Sequence, residues 1–184
     1  MNAKRGYVPE DERNFSPSAL ATMRIASRHI VYLINEGYDL KQASTFVGNH
    51  FLLSERQRLA IMRSVATNQQ LQDRHVKQVL VNDLSGREVW IDGFNTIITL
   101  EVMQNNSILL HCMDGTIRDL AALRGTYRLI PETKEAIQLM FNILQNAGAA
   151  RFQAERENIE GHVWTCFIHD TDDSERHTHT LQIQ

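Results

Sequence analysis

Three prolines, nine glycines and two cysteines among 184 residues leave little material for several whole classes of protein. So little Pro and Gly excludes a collagen-like or low-complexity linker chain. Cys112 and Cys166 lie far apart and form no CxxC pair, which suits a reducing cytoplasm better than a disulfide framework. No apolar run approaches the roughly 18 residues that a membrane-spanning helix needs. The polar start, Met1-Asn2-Ala3-Lys4-Arg5, lacks the apolar centre of a secretory signal. A cytoplasmic protein with no membrane partner is therefore expected. Familiar catalytic signatures are missing as well: no GxSxG, no GxxxxGK[ST] and no GxGxxG occurs.

With 42% hydrophobic and 22% charged residues, the chain has the makings of one folded domain or two small ones. Its charge is uneven. Residues 1–79 hold 11 Lys and Arg against 7 Asp and Glu, whereas residues 80–184 hold 8 against 15. A basic first part and an acidic second part suit two modules that attract different partners, although both values are also ordinary for small domains.

The first fifteen residues, with Glu10-Asp11-Glu12, read as a loose arm. Ser16-Pro17 pairs an N-cap with Pro at the first helical position. Leu20, Met23, Ile30 and Ile34 then follow at helical spacing, and Glu36-Gly37 supplies the stop. Asp39 caps a second helix with Leu40, Ala43, Phe46 and Val47 inward, ending at Gly48-Asn49. Ser54 and Gln57 form a capping box for a third, whose apolar stripe is Leu59, Met62 and Val65. The polar, Gln-rich stretch 68–79 reads as a linker. Beyond it, Glu88-Val89-Trp90-Ile91 reads as a short buried strand and 107–112 as a second; 96–103 between them is ambiguous, its β-branched residues suiting a strand and the βα order a helix, and a helix is favoured. A short helix over 117–123 and a long one over 131–145 follow, the latter with Ile137, Met140, Phe141 and Leu144 inward and Gly148 as its stop. That alternation implies an α/β layer with a largely parallel sheet.

On the third helix Arg56 and Arg63 share a face, with Arg58 to the side, an arrangement compatible with contact to an RNA or DNA backbone. Solvated helices carry such arginines too. Asp92-Gly93-Phe94-Asn95 follows the first strand directly, and open α/β sheets bind ligands outside the carboxyl ends of their strands. Asp114-Gly115-Thr116-Ile117-Arg118-Asp119 follows the second strand. If the two strands are parallel, Asp92, Asp114 and Asp119 emerge at one edge with Asn95 in support. Such hard oxygen ligands suit Mg²⁺ or Mn²⁺ and water activation against a phosphodiester. Read more plainly, the same residues close strands and cap helices. Glu101 reads as a solvated surface residue, and Arg118, Arg124 and Arg128 as partners of local acids. His29, His50, His75 and His111 have no partners by spacing and read as structural.

The stretch Gly37-Tyr38-Asp39-Leu40-Lys41-Gln42-Ala43-Ser44-Thr45-Phe46-Val47-Gly48-Asn49, with Leu53-Ser54-Glu55-Arg56-Gln57-Arg58, resembles the helical domain of a prokaryotic family, domain of unknown function 434. Val89 to Glu101 and Asp114 to Asp119 resemble the α/β domain fused to it. The strand-Asp-Gly-x-Asn element is in turn similar to the first acidic motif of PIN-like ribonucleases. The resemblance implies a helical, helix-turn-helix-like module over 1–79 and a small PIN-like α/β domain over 80–184, partly incomplete because the tail from about 147 departs from the family pattern. It supplies no activity of its own.

In that tail, His162, Cys166, His169, His177 and His179 are zinc donors by type but match no standard finger. Asp170-Thr171-Asp172-Asp173 begins like a calcium loop and then lacks its Gly and Glu. The function expected is nucleic-acid association with a degenerate divalent-metal phosphodiesterase site: Asp92, Asp114 and Asp119 as catalytic carboxylates, Asp92, Asn95, Asp114 and Asp119 as Mg²⁺ or Mn²⁺ ligands, and Arg56, Arg58 and Arg63 on the nucleic acid. The competing expectation is a noncatalytic protein-binding or scaffold module.

Overall fold

Local capping chemistry places the first helices. The Ser16 hydroxyl accepts from the Ala19 amide at 3.4 Å, Asp39 from the Gln42 amide at 2.9 Å, and Ser54 and Gln57 close a capping box. They start α2 (Pro17–Asn35), α3 (Leu40–His50) and α4 (Glu55–Ser64). Gly37, at φ 89°, ends the first of these in a backbone region that glycine enters without a Cβ clash. The computed structural model describes residues 4–121, 127–155, 165–169 and 180–182, with the strands from residue 151 onward given as backbone. It is a mixed α/β fold, predominantly helical, and it divides into two compact units: Met1–Gln78 with Asn105–Ala122, and Val79–Gln104 with Leu123–Gln184.

The helical unit is built on Met23, Ala26, Ile30 and Ile34 of α2, Ala43 and Val47 of α3, Leu53, and Ala60 and Ile61 of α4. Three expectations change here. Phe46 is 72% exposed rather than inward, and α4 buries Gln57, Ala60 and Ile61 most deeply, with Leu59 and Val65 of the expected stripe half-buried against the same core. Gly48 does not stop α3 but lies inside it, where a Cβ would stand 2.7 Å from Nε of Arg58. The N-terminal segment is not loose either. It forms α1 (Asp11–Asn14), and the Gln57 side-chain amide donates to the Asn14 carbonyl at 2.7 Å.

Residues 68–79 are mostly helix, not linker: α5 (Asn68–Lys77) opens on a Thr67/Gln70 capping box and buries none of its residues. The helical unit also contains β2 (Leu109–His111) and β3 (Ile117–Asp119), an antiparallel hairpin. Leu120, just beyond it, sits in the helical core with Ile108 and Leu110 packed alongside. Ile117-Arg118-Asp119 is thus strand where a helix was expected, because pairing with β2 outweighs a weak local preference.

In the second unit, β1 (Glu88–Asp92) is followed by α6 (Gly93–Gln104), which resolves the ambiguous 96–103 stretch as helix, and later by α7 (Thr133–Asn146). Val89 and Ile91 point toward Leu100, Ile137, Met140, Phe141 and Leu144, while Trp90 on the opposite face is 61% exposed, so the strand is half-buried rather than buried. At Gly148, φ 71° turns the chain out of α7 as expected. The sheet runs β1, β4 (Arg151–Glu155), β5 (Thr165–His169), β6 (Thr180–Gln182). Only β1 and β4 are parallel; β4, β5 and β6 are antiparallel. A largely parallel sheet is therefore corrected to a mixed one, whose strand β4 begins just beyond Gly148. Among the described residues, no helix is long and apolar enough to cross a membrane.

Candidate functional site

The arginines of α4 face inward more than the helix pattern suggested. Nε and Nη2 of Arg56 donate to the two carboxylate oxygens of Asp11, both at 2.8 Å, while Nη1 donates to the Leu120 carbonyl at 2.7 Å and Nη2 also to that of Gly6 at 2.9 Å. Its side chain is 15% exposed. A guanidinium holding a bidentate carboxylate and two carbonyls is a clamp, not a phosphate contact. Arg58 donates to the Leu53 carbonyl at 2.9 Å and to Oδ1 of Asn49 at 3.0 Å, bracing the α3–α4 connection. Arg63 approaches Asp119 at 4.0 Å. Of the three, Arg56 is corrected outright to a structural residue.

Asp114 and Asp119 belong to the hairpin of the helical unit. Asp114 accepts from the Thr116 hydroxyl at 2.6 Å and amide at 3.1 Å, and its other oxygen faces Arg74 at 2.6 Å and Arg118 at 3.1 Å. Burial alone pushes its pKa up; the two Thr116 donors and the two guanidinium groups outweigh that and hold it below the ordinary carboxylate value. Asp119 is buried, and its Oδ1 accepts from the Ala121 amide at 2.8 Å.

Asp92 belongs to the α/β unit, at the carboxyl end of β1. Its oxygens accept from the Asn95 amide at 3.3 Å and the Asn95 side-chain Nδ2 at 2.6 Å, so the pair caps α6 in the way the plainer reading holds. Strands β1 and β2 lie in different sheets, so the parallel edge meant to gather Asp92, Asp114 and Asp119 does not exist. The sequence reading missed another acid. Glu155 ends β4, the parallel neighbour of β1, and its Cα is in register with that of Asp92. The tail's departure from the family pattern hid it. Glu101 was misjudged in the opposite sense: it is fully buried, and its Oε1 accepts from the Tyr127 hydroxyl at 2.7 Å and from that of Thr133. Tyr127 also meets Phe94 edge-on, with centroids 4.8 Å apart. A carboxylate in helix α6 thereby fastens the segment leading into α7.

The expected metal set does not fit a divalent cation. Two guanidinium groups already neutralise Asp114, Asp119 is bonded within its own turn, and Asn95 turns a donor rather than an oxygen toward Asp92. Among the described residues no three His, Cys, Asp or Glu side chains come together as such a ligand set requires. The tail's histidine and cysteine side chains, the Asp170 loop and Arg124 lie outside the described residues.

Residues 22–77 match the family model described as protein of unknown function DUF434, and residues 81–154 the one described as domain of unknown function DUF5616. No solved structure matches the chain. An uncharacterized protein of Methanocaldococcus jannaschii is 33% identical over 121 residues, which cover 66% of this chain and 58% of that protein. The chain thus spans under two thirds of the relative it matches, and the similarity to DUF434 expected from the helical stretch is found in its first part.

Proposed function

We propose that the protein associates with nucleic acid through its helical unit, and that its α/β unit is a PIN-like module whose metal site is degenerate. The observation that carries the first half is a set of exposed, uncommitted cations. Arg24 and Arg28 on α2 and Lys41 on α3 are exposed, and among the described residues their charged side chains enter no ion pair or hydrogen bond. Residues 1–79, with 11 basic against 7 acidic groups, surround them with a net positive field. Binding is expected to weaken roughly tenfold between about 50 and 200 mM salt, as neutralised phosphates release their counterions. Fluorescence anisotropy of the full chain with a labelled RNA measures this, and Arg28→Ala with Lys41→Ala should flatten the salt slope. Absence of binding at low salt would return the protein to the scaffold class.

The second half rests on the edge where Asp92 and the backbone of Glu155 end two parallel strands, with Asn95 beside Asp92. Two acids at an edge are fewer than metal-assisted hydrolysis uses to hold a cation and leave room for water and substrate. Incubated with single-stranded RNA and Mn²⁺, the wild type and Asp92→Asn are expected to give equal background cleavage. Robust cleavage lost in Asp92→Asn or Glu155→Gln would make the protein a nuclease after all.

A further inference from the structure

The outer sides of α2 and α3 carry exposed rings, His29, Tyr32, Phe46 and His50. Phe51, which follows α3 and packs half-buried against the helical core, is met edge-on from both sides: by His29 of α2, with centroids 5.4 Å apart, and by His50 of α3, at 4.8 Å. Ile25, His29 and Tyr32 follow one another at i, i+4 and i+7 and share a face of α2, and Phe46 and His50 share a face of α3 at i, i+4. Tyr32 is 66% exposed and Phe46 72%. Large rings standing in water on the outside of helices whose opposite faces already supply a full core are not needed for folding. They need another explanation.

Charge says which occupant they suit. Arg24, Arg28 and Tyr32 recur at i, i+4 and i+8, so the uncommitted guanidinium groups flank the same stripe of α2. The nearest acids in sequence, Glu36 and Asp39, lie in the connection between α2 and α3, and Asp39 is engaged in capping. Rings alternating with cations offer π faces to bases and positive charge to the phosphates between them, the combination by which single strands are held without a sequence code. Duplexes stack their base faces on one another and leave only base edges and phosphates to a protein, so a ring finds no face to stack on.

We infer that the α2–α3 face, through Tyr32, Phe46 and the His29-Phe51-His50 cluster flanked by Arg24 and Arg28, binds single-stranded nucleic acid by stacking unpaired bases. This rests on the nucleic-acid reading above and narrows it to unpaired strands at a named face. The test titrates full-length protein into a labelled single-stranded RNA of about 12 nucleotides, within the length such sites cover, and into the same RNA annealed to its complement. The single strand is expected to bind roughly tenfold tighter than the duplex, and the Tyr32→Ala, Phe46→Ala double variant to lose roughly tenfold in affinity for the single strand only. Val76→Ala, an exposed apolar change on α5, should leave both affinities as they are. Circular dichroism is expected to show both variants folded, as exposed positions allow. Equal affinity for strand and duplex, unchanged by the aromatic substitutions but still salt-dependent, would overturn the stacking face while leaving nucleic-acid association standing. Binding of neither RNA at low salt would overturn both.

Discussion

Replacing Arg56 with Ala is expected to destabilise the protein by about 3–5 kcal/mol, the range for removing one partner of a buried ion pair. The size follows from what the substitution strands. Asp11 is 6% exposed and loses two charge-assisted hydrogen bonds, and the carbonyls of Leu120 and Gly6 lose their donors. Those partners come from three places in the chain, so the guanidinium ties the N-terminal segment and the end of the hairpin to α4. Lys at this position keeps the charge but not the planar fork, and should recover only part of the loss. Urea unfolding of wild type, Arg56→Ala and Arg56→Lys measures it. A change under about 1 kcal/mol, of the size typical for exposed pairs, would mean that the clamp does not hold in solution and that Arg56 is available to a ligand after all.

The fate of Arg56 also shows where a sequence can be read and where it cannot. Caps at Ser16, Asp39 and Ser54 were legible because donor and acceptor lie within three residues of each other. The partners of Arg56 are 45, 50 and 64 positions away, and no periodicity on α4 announces them. Seen alone, a helix with three arginines looks solvated. Only the tertiary fold shows that one of them is a core group, while the exposed cations and rings lie on the two preceding helices.

Helix α5 was missed for a different reason. It buries none of its residues, so the apolar stripe that marks a helix is absent, yet Thr67 and Gln70 spelled a capping box as plainly as Ser54 and Gln57 did. Strand pairing is less forgiving. Nothing local tells β1 to choose β4, more than fifty residues downstream, over the nearer β2, and with that choice the presumed metal edge dissolved and Glu155 took the place beside Asp92. Phe46 failed by a margin of one residue: Val47 turns into the core and its neighbour turns out. A helical face of roughly 100° leaves such border positions undecided until the partner helix is placed.

Asp114→Asn should cost less than the loss of Arg56 but should carry a pH signature. In the folded protein the Asp114 side chain is 2% exposed and receives the Thr116 hydroxyl, the Thr116 amide, Arg74 and Arg118. Asn keeps an oxygen for Thr116, but its amide then turns a donor toward two guanidinium donors, and α5 loses its charged link to the hairpin turn. A loss of about 1–3 kcal/mol at neutral pH is expected, scaled to charge-assisted hydrogen bonds and discounted because Arg74 and Arg118 are themselves 43% and 37% exposed. The sign with pH follows from the lowered pKa. A carboxyl that ionises more readily folded than unfolded stabilises fully above its unfolded pKa of about 3.9, and that contribution fades as pH falls through the lower, folded value. Asn does not titrate. The stability gap between wild type and Asp114→Asn should therefore stay level from neutral pH down to about 5 and narrow below about 4. Urea midpoints taken across that range read the gap directly. A gap that persists unchanged into acid would show that Asp114 acts through its shape and neutral hydrogen bonds, and that the arginine pairs contribute little.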